Sequence, residues 1–278
     1  MAHHILRIDC PDRAGLVYQI TGVLFRHGCN ILSNHEFVDP TTSHFFMRTA
    51  FTTETAIDGI VPELETLLPT TARLRLAIVG KRPVVVLATK EAHCLGELLL
   101  RHAYEEFPAQ ILAVISNYAT LAPLATQFGI PFHHITHEGR ERDAHEAQML
   151  ACAAQYAPAY LVLAKYMRVL TPAFVAQYPD RILNIHHSFL PAFIGASPYR
   201  QAFARGVKQI GATGHIVTNE LDTGPIIAQS VLPVDHTATP ASMAQAGRDV
   251  EKLVLAQALR LLLEDRVFLH QGRTVVFA

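Results

Sequence analysis

The sequence predicts an open, mostly parallel α/β sheet with a small α+β module in front of it. Three observations carry that prediction. Over residues 1–80 the apolar pattern runs strand, helix, strand, strand, helix, strand, the order of a ferredoxin-like module. Beyond residue 83 the apolar runs become near-continuous and alternate with helix-like segments, as strands buried on both faces of a parallel sheet do. From residue 181 onward, two polar clusters stand where apolar strands run out. Residues 1–80 are therefore read as one domain and 81–278 as a second.

In the first module, residues 5–10 (ILRIDC) form a strand. Pro11, Asp12 and Gly15 turn the chain into a helix with the apolar stripe Leu16, Val17, Ile20, Val23 and Leu24. Gly28 falls just past its end, where left-handed backbone favours glycine. Residues 31–38 and 44–51 read as two strands joined by the polar turn Asp39-Pro40-Thr41-Thr42-Ser43. A helix over 57–68 and the alternating strand 73–78 complete the module. Its helices would cover one sheet face only, and an unpaired strand edge is a template for association. The sequence therefore predicts a homo-oligomer assembled at least partly through residues 1–80.

Gly80-Lys81-Arg82-Pro83 reads as a short linker. Strands follow at 84–89 (VVVLAT), 111–116 (ILAVIS) and 160–165 (YLVLAK), with helices at 92–106, 119–128 and 141–156. Ligands of open α/β sheets bind beyond the carboxyl ends of the strands. That rule places Ser116-Asn117, Lys165-Tyr166-Met167-Arg168 and Asn184 with His186 along one edge. Lys165 itself reads as a solvated charge at a strand end. Residues 191–198 read as a loop before a helix at 199–205, which Gly206 ends. Two strand-like stretches (IGATGHIVT and PIIAQSVLPV), a long helix over 241–263 and a closing hairpin over 267–277 finish the chain.

Composition narrows the function. Hydrophobic residues at 50% against 17% charged argue for a buried core and against disorder. Lys+Arg 23 against Asp+Glu 24 gives a net charge of -1, so no basic field attracts nucleic acid. No apolar run approaches the roughly 18 residues of a spanning helix, and no membrane partner is expected. The chain enters its first strand without an apolar leader, and Cys10, Cys29, Cys94 and Cys152 lack metal spacing. Reduced thiols in a cytoplasm are the expectation. Adjacent histidines such as His186-His187 point to opposite faces of a strand, so they chelate poorly and no metal site is predicted.

The chemistry concentrates in residues 181–229. Asn184 and His186 lie at i and i+2, facing one side while Ile185 faces the other. Asp222 sits on a loop bounded by Gly224 and Pro225. A carboxamide, an imidazole and a carboxylate are the groups that drive water onto a carbonyl carbon. The carboxylate can orient and deprotonate the water, while the others donate to the developing oxyanion or protonate the leaving group. His215, on the strand leading to Asp222, reads as a core histidine able to support them.

The motifs NIHHSFLPAF and LDTGPIIAQ together resemble the formyltetrahydrofolate-dependent formyl transferase and hydrolase family, most nearly its hydrolase branch. The resemblance covers nearly the whole chain. It implies a formyl transferase-like catalytic domain, with Asn184, His186 and Asp222 as the catalytic set. The substrate implied is 10-formyltetrahydrofolate, hydrolysed to tetrahydrofolate and formate, the formate serving purine biosynthesis. The segment AKYMRVL is similar to the one that lines the family's folate pocket. It implies backbone groups of Arg168, Val169 and Leu170 on the pterin ring. Val217, Thr218 and Leu221 would close the other side, and Asn117 is assigned to the substrate as well. CPDRAGLVYQITGVLFRHGCNI is similar to the opening of ACT domains, which implies a regulatory or oligomerisation module and a possible amino-acid effector. No metal or redox cofactor is implied, because formyl transfer changes no oxidation state; folate enters as the substrate.

In nucleotide-accepting members of the family the first strand-to-helix turn is glycine-rich and cradles a phosphate at a helix N-terminus. Residues 89–96 here contain no Gly-x-Gly, and Gly96 lies too far along. That departure leaves water as the simplest acceptor. Two other readings stay open: formyl transfer to an amine, and an amino-acid sensor joined to a folate-binding body. The complete Asn184, His186 and Asp222 set opposes the sensor. The missing phosphate turn and the N-terminal module oppose the transferase.

Overall fold

In the computed structural model residues 2–192 and 198–277 are described. The first unit rests on strict alternation. β1 (Ala2–Pro11) sends Leu6, Ile8 and Cys10 to one side, where α1 (Leu16–Arg26) and α2 (Ile60–Leu67) supply Ile20, Val23, Leu24, Ile60 and Leu64 to the same core. With β2 (Asn30–Asp39), β3 (His44–Thr53) and β4 (Arg73–Ile78) it makes an antiparallel sheet in the order β2-β3-β1-β4.

The sequence leaves the second sheet face open, but the chain's own end occupies part of it. Phe46 packs edge-on against Phe268 with ring centroids 5.6 Å apart. Arg7 reaches Asp265 Oδ1 at 3.4 Å, and Arg48 donates to Glu264 O at 2.9 Å. Two arginines on a sheet face need buried acceptors, and the C-terminal segment provides them. The first unit accordingly runs through Gly80 and takes in Glu264–Phe268 and the chain from Val275, whereas the sequence assigns everything after residue 80 to the second domain. β2 is one edge strand of this sheet, and Ile31, Leu32, Phe37 and Val38 are exposed on it.

The second unit holds a seven-stranded sheet in the order β11-β10-β9-β8-β5-β6-β7. β5 (Arg82–Ala88), β6 (Ala109–Ser116), β7 (Phe132–His134), β8 (Tyr160–Ala164) and β9 (Ile182–His186) run parallel. β10 (Gln209–Ile216) is antiparallel to β9, and β11 (Ile226–Pro233) to β10. β8 is buried from end to end and β5 from Val84 onward, as their unbroken Val/Leu runs require. The helices are α3 (His93–Ala103), α4 (Ala122–Gln127), α5 (Arg142–Ala154), α6 (Pro172–Val175), α7 (Pro198–Ala204) and α8 (Pro240–Leu263).

Local departures have local causes. Arg82 and Pro83 are already in β5, because Arg82 N donates to Pro108 O at 2.9 Å, so the linker is shorter than expected. The helix read over 119–128 opens as a 3₁₀ turn, Ala119–Leu121. β7 escapes a pattern search because two of its three residues are histidines. The closing hairpin is β12 (Val267–His270) and β13 (Arg273–Val276), with Gln271 and Gly272 both at positive φ in its turn. Residues 193–197, part of the loop read before α7, lie outside the described residues. Among those described, no helix is long and apolar enough to cross a membrane.

Candidate active site

β9 has β8 on one side and β10 on the other, and its last residues carry the reactive groups to the sheet's edge. In the antiparallel register His215 lies directly opposite Asn184, and Thr213 opposite His186. Asn184 Nδ2 donates to His215 Nε2 at 3.1 Å, while His215 Nδ1 donates to Ile216 O at 3.0 Å. The second bond selects the tautomer that leaves Nε2 free to accept. Burial keeps the His215 imidazole neutral, against the pull of that carbonyl. Asn184 is thereby held with one amide N–H engaged and the other still available. His215, read as a core histidine able to support the site, is buried and hydrogen-bonded to the Asn184 amide.

Asp222 arrives from the loop between β10 and β11. It holds a left-handed backbone (φ 56) unusual outside glycine, a strain that tends to collect at functional sites. Gly224 permits the loop: a Cβ there would lie 1.7 Å from Ile216 O. Asp222 Oδ2 lies 3.2 Å from His186 Nδ1, with both side chains under a tenth exposed, and Oδ1 lies 3.8 Å from His215 Nε2. Burial opposes ionisation of Asp222. The interactions with His186, its hydrogen bond first, lead those that outweigh it and hold the carboxyl below its ordinary value. His186 Nε2 is buried with no hydrogen-bond partner among the described residues. Such an atom costs free energy unless water or a ligand meets it.

These groups line a cavity of about 480 Å³. It gathers Arg168, Val169 and Leu170 beyond β8, Val217, Thr218 and Leu221 after β10, and Asn184, His186 and Asp222. Met167, Val169 and Leu221 are each more than half exposed there, an apolar surface suited to a flat ring. The β8 loop is clamped from α5. Arg142 donates to Val169 O, and the Glu146 carboxylate accepts from Thr171 N at 3.1 Å and from its hydroxyl. A second hollow, of about 510 Å³ between Leu150 and Arg181, contains neither carboxylate nor imidazole.

Asn117 does not join the cavity lining. It is buried at the end of β6 with Nδ2 3.3 Å from His137 Nδ1, two strands from β8. His187 does join it, against the expectation that adjacent histidines face apart, because β9 ends at His186 and the alternation ends with it. Burial, then the Lys165 and His186 charges, push the His187 imidazole down to about 4. Lys165 is 4% exposed, not the solvated charge its place in the sequence suggests.

The formyl transferase family model matches residues 82–259, and the ACT domain model matches residues 4–69. The formyltetrahydrofolate deformylase of Haemophilus influenzae is 51% identical over 272 residues, spanning 98% of each chain. The crystal structure of a formyltetrahydrofolate deformylase from Pseudomonas syringae superimposes with a TM-score of 0.96 at 38% identity, over 100% of this chain and 95% of that one. The chain belongs to the formyltetrahydrofolate deformylase family. The deformylase likeness spans the whole fold, ACT domain included. By contrast, the glycinamide ribonucleotide transformylase 1 of Symbiobacterium toebii matches with a TM-score of 0.69 at 30% identity, and covers 73% of this chain. That likeness is to part of the fold only.

Proposed function

We propose that the chain hydrolyses 10-formyltetrahydrofolate to tetrahydrofolate and formate at the β9 edge. The observation that carries the mechanism is the convergence of Asn184, His186 and Asp222 on one cavity, with His186 Nε2 buried and unpartnered. Asp222 Oδ1 holds a water, and accepts its proton as the oxygen attacks the formyl carbon. The oxyanion takes hydrogen bonds from the free Asn184 N–H and from His186 Nε2–H, the His186 imidazolium being paired through Nδ1 with Asp222. Collapse breaks the bond from carbon to N10, which receives a proton from His186. Tetrahydrofolate leaves, and formate departs with one proton released to solvent. The segments 167–170 and 217–222 sandwich the pterin. None of these steps changes an oxidation state, and folate is the substrate.

Formate release from 10-formyltetrahydrofolate with no acceptor present is the expected result, followed by a coupled formate assay. Formate appearing only after an amine acceptor is added would establish a transferase instead.

We also infer a homo-oligomer joined along β2, where Ile31, Leu32, Phe37 and Val38 lie exposed on an unpaired edge strand. An amino-acid effector would bind beside that edge, near residues 12–15 and Asn30. In full-length protein, Leu32→Glu with Val38→Glu is expected to lower the mass measured by light scattering. An unchanged mass would move assembly elsewhere. Four cysteines without disulfides fit a reducing cytoplasm.

A further inference from the structure

Lys165 adopts a left-handed backbone (φ 57) just past β8, and its side chain is buried in the cavity wall. Its Nζ lies 3.1 Å from Glu251 Oε2 and 3.9 Å from Glu91 Oε1. Glu251, on α8, is 1% exposed and fully engaged: His93 Nε2 lies 2.8 Å from Oε2, and Tyr199 donates its hydroxyl to Oε1 at 2.7 Å. Burial opposes its ionisation, but His93, Lys165 and Tyr199 hold the carboxyl down to about 2. Gly247, one helical turn earlier, makes the Tyr199 contact possible, since a Cβ there would lie 1.9 Å from Tyr199 Oη. The cluster is tied to the first strand-to-helix turn. His93 is the first residue of α3, and Thr89 donates its hydroxyl to Lys165 O at 2.7 Å. His93, Cys94 and Glu251 lie close enough to be compared with a metal-binding set, but the Lys165 ammonium already supplies the cationic charge beside Glu251.

The folate-side residues 167–170 and 217–222 occupy two flanks of the cavity. Lys165, tied to Thr89 and 3.9 Å from Glu91, lines the cavity on the flank toward the β5–α3 turn. We propose that the Lys165–Glu251–His93–Tyr199 cluster is a specificity device that seals this flank, so that water but not an amine reaches the formyl carbon. The proposal rests on the hydrolase reading above. A buried ion pair with both carboxylate oxygens engaged resists displacement, because a ligand that parts it leaves an uncompensated charge. The ion pair therefore holds the Lys165 side chain across this flank, where its bulk keeps an amine out.

The test uses full-length protein, 10-formyltetrahydrofolate and hydroxylamine. Attack by the hydroxylamine nitrogen forms a carbon–nitrogen bond, breaks the bond to N10 and delivers one proton to it, yielding formohydroxamate. Its ratio to formate, corrected for the uncatalysed reaction, reads the partition. Lys165→Gly opens the wall, and glycine adopts φ 57 without strain. The ratio is expected to rise about tenfold or more, the lower end of what a filled pocket discriminates. Lys165→Met keeps the wall filled and should raise it far less. If Lys165→Gly does not fold, Glu251→Gln, which keeps the shape but frees Lys165, is expected to raise the ratio in its place. An unchanged ratio in the folded opening variant overturns the proposal, as does an equal rise in Lys165→Met. Wild-type protein that releases no formate without an acceptor would instead overturn the hydrolase reading.

Discussion

Replacing Asp222 by asparagine is expected to leave a folded protein that binds folate and has lost on the order of 10²–10⁴ in kcat. The amide fills the same volume in the loop ahead of Gly224, so the backbone at φ 56 has no new reason to move. It cannot take a proton from water, and it removes the charge that pairs with His186 Nδ1 at 3.2 Å. KM should change little, since the pterin contacts come from other segments. Steady-state kinetics with a folate-binding titration check this; wild-type kcat in the variant would remove Asp222 from the mechanism. The neighbouring histidines hold the Asp222 carboxyl below its ordinary value, so the reactive carboxylate is lost only when pH falls through that lowered value. An acid limb of kcat assigned to Asp222 should therefore lie below the ordinary aspartate pKa of about 3.9 and disappear in Asp222→Asn.

Asn184→Ala is expected to cost about 10²–10³ in kcat, the usual loss on removing one oxyanion donor. Its amide is aimed by His215, which is aimed in turn by Ile216 O, so the donor is set in place before substrate arrives. The loss should fall on kcat with KM nearly constant, because the interaction strengthens only as negative charge grows on the formyl oxygen. A rise in KM with unchanged kcat would make Asn184 a ground-state binding residue.

Much of the fold and of the candidate site is legible in the amino-acid order, because local patterns report local physics. Alternating strands in residues 1–80 and unbroken Val/Leu runs after residue 83 name both sheet types. Strand ends place Asn184, His186 and residues 167–170 on one edge. Asn117 shows the limit of that rule: it also ends a strand, but the strand order β8-β5-β6 sets its strand two places from β8, and it does not line the cavity. Strand order is set by non-local pairing, which no local window contains.

The same distinction separates the remaining residues. The amino-acid order alone determined that Asn184, His186 and Asp222 are the candidate reactive set, since carboxamide, imidazole and carboxylate chemistry is a property of the side chains. Only the tertiary structure decided how they are aimed, through a register that sets His215 across from Asn184 and a glycine that lets Asp222 in. It also decided that Lys165 is buried. A charge at a strand end is solvated by default, and only a carboxylate brought in from a helix 86 positions later makes burial tolerable, because Coulomb attraction in a dry interior then offsets the lost hydration.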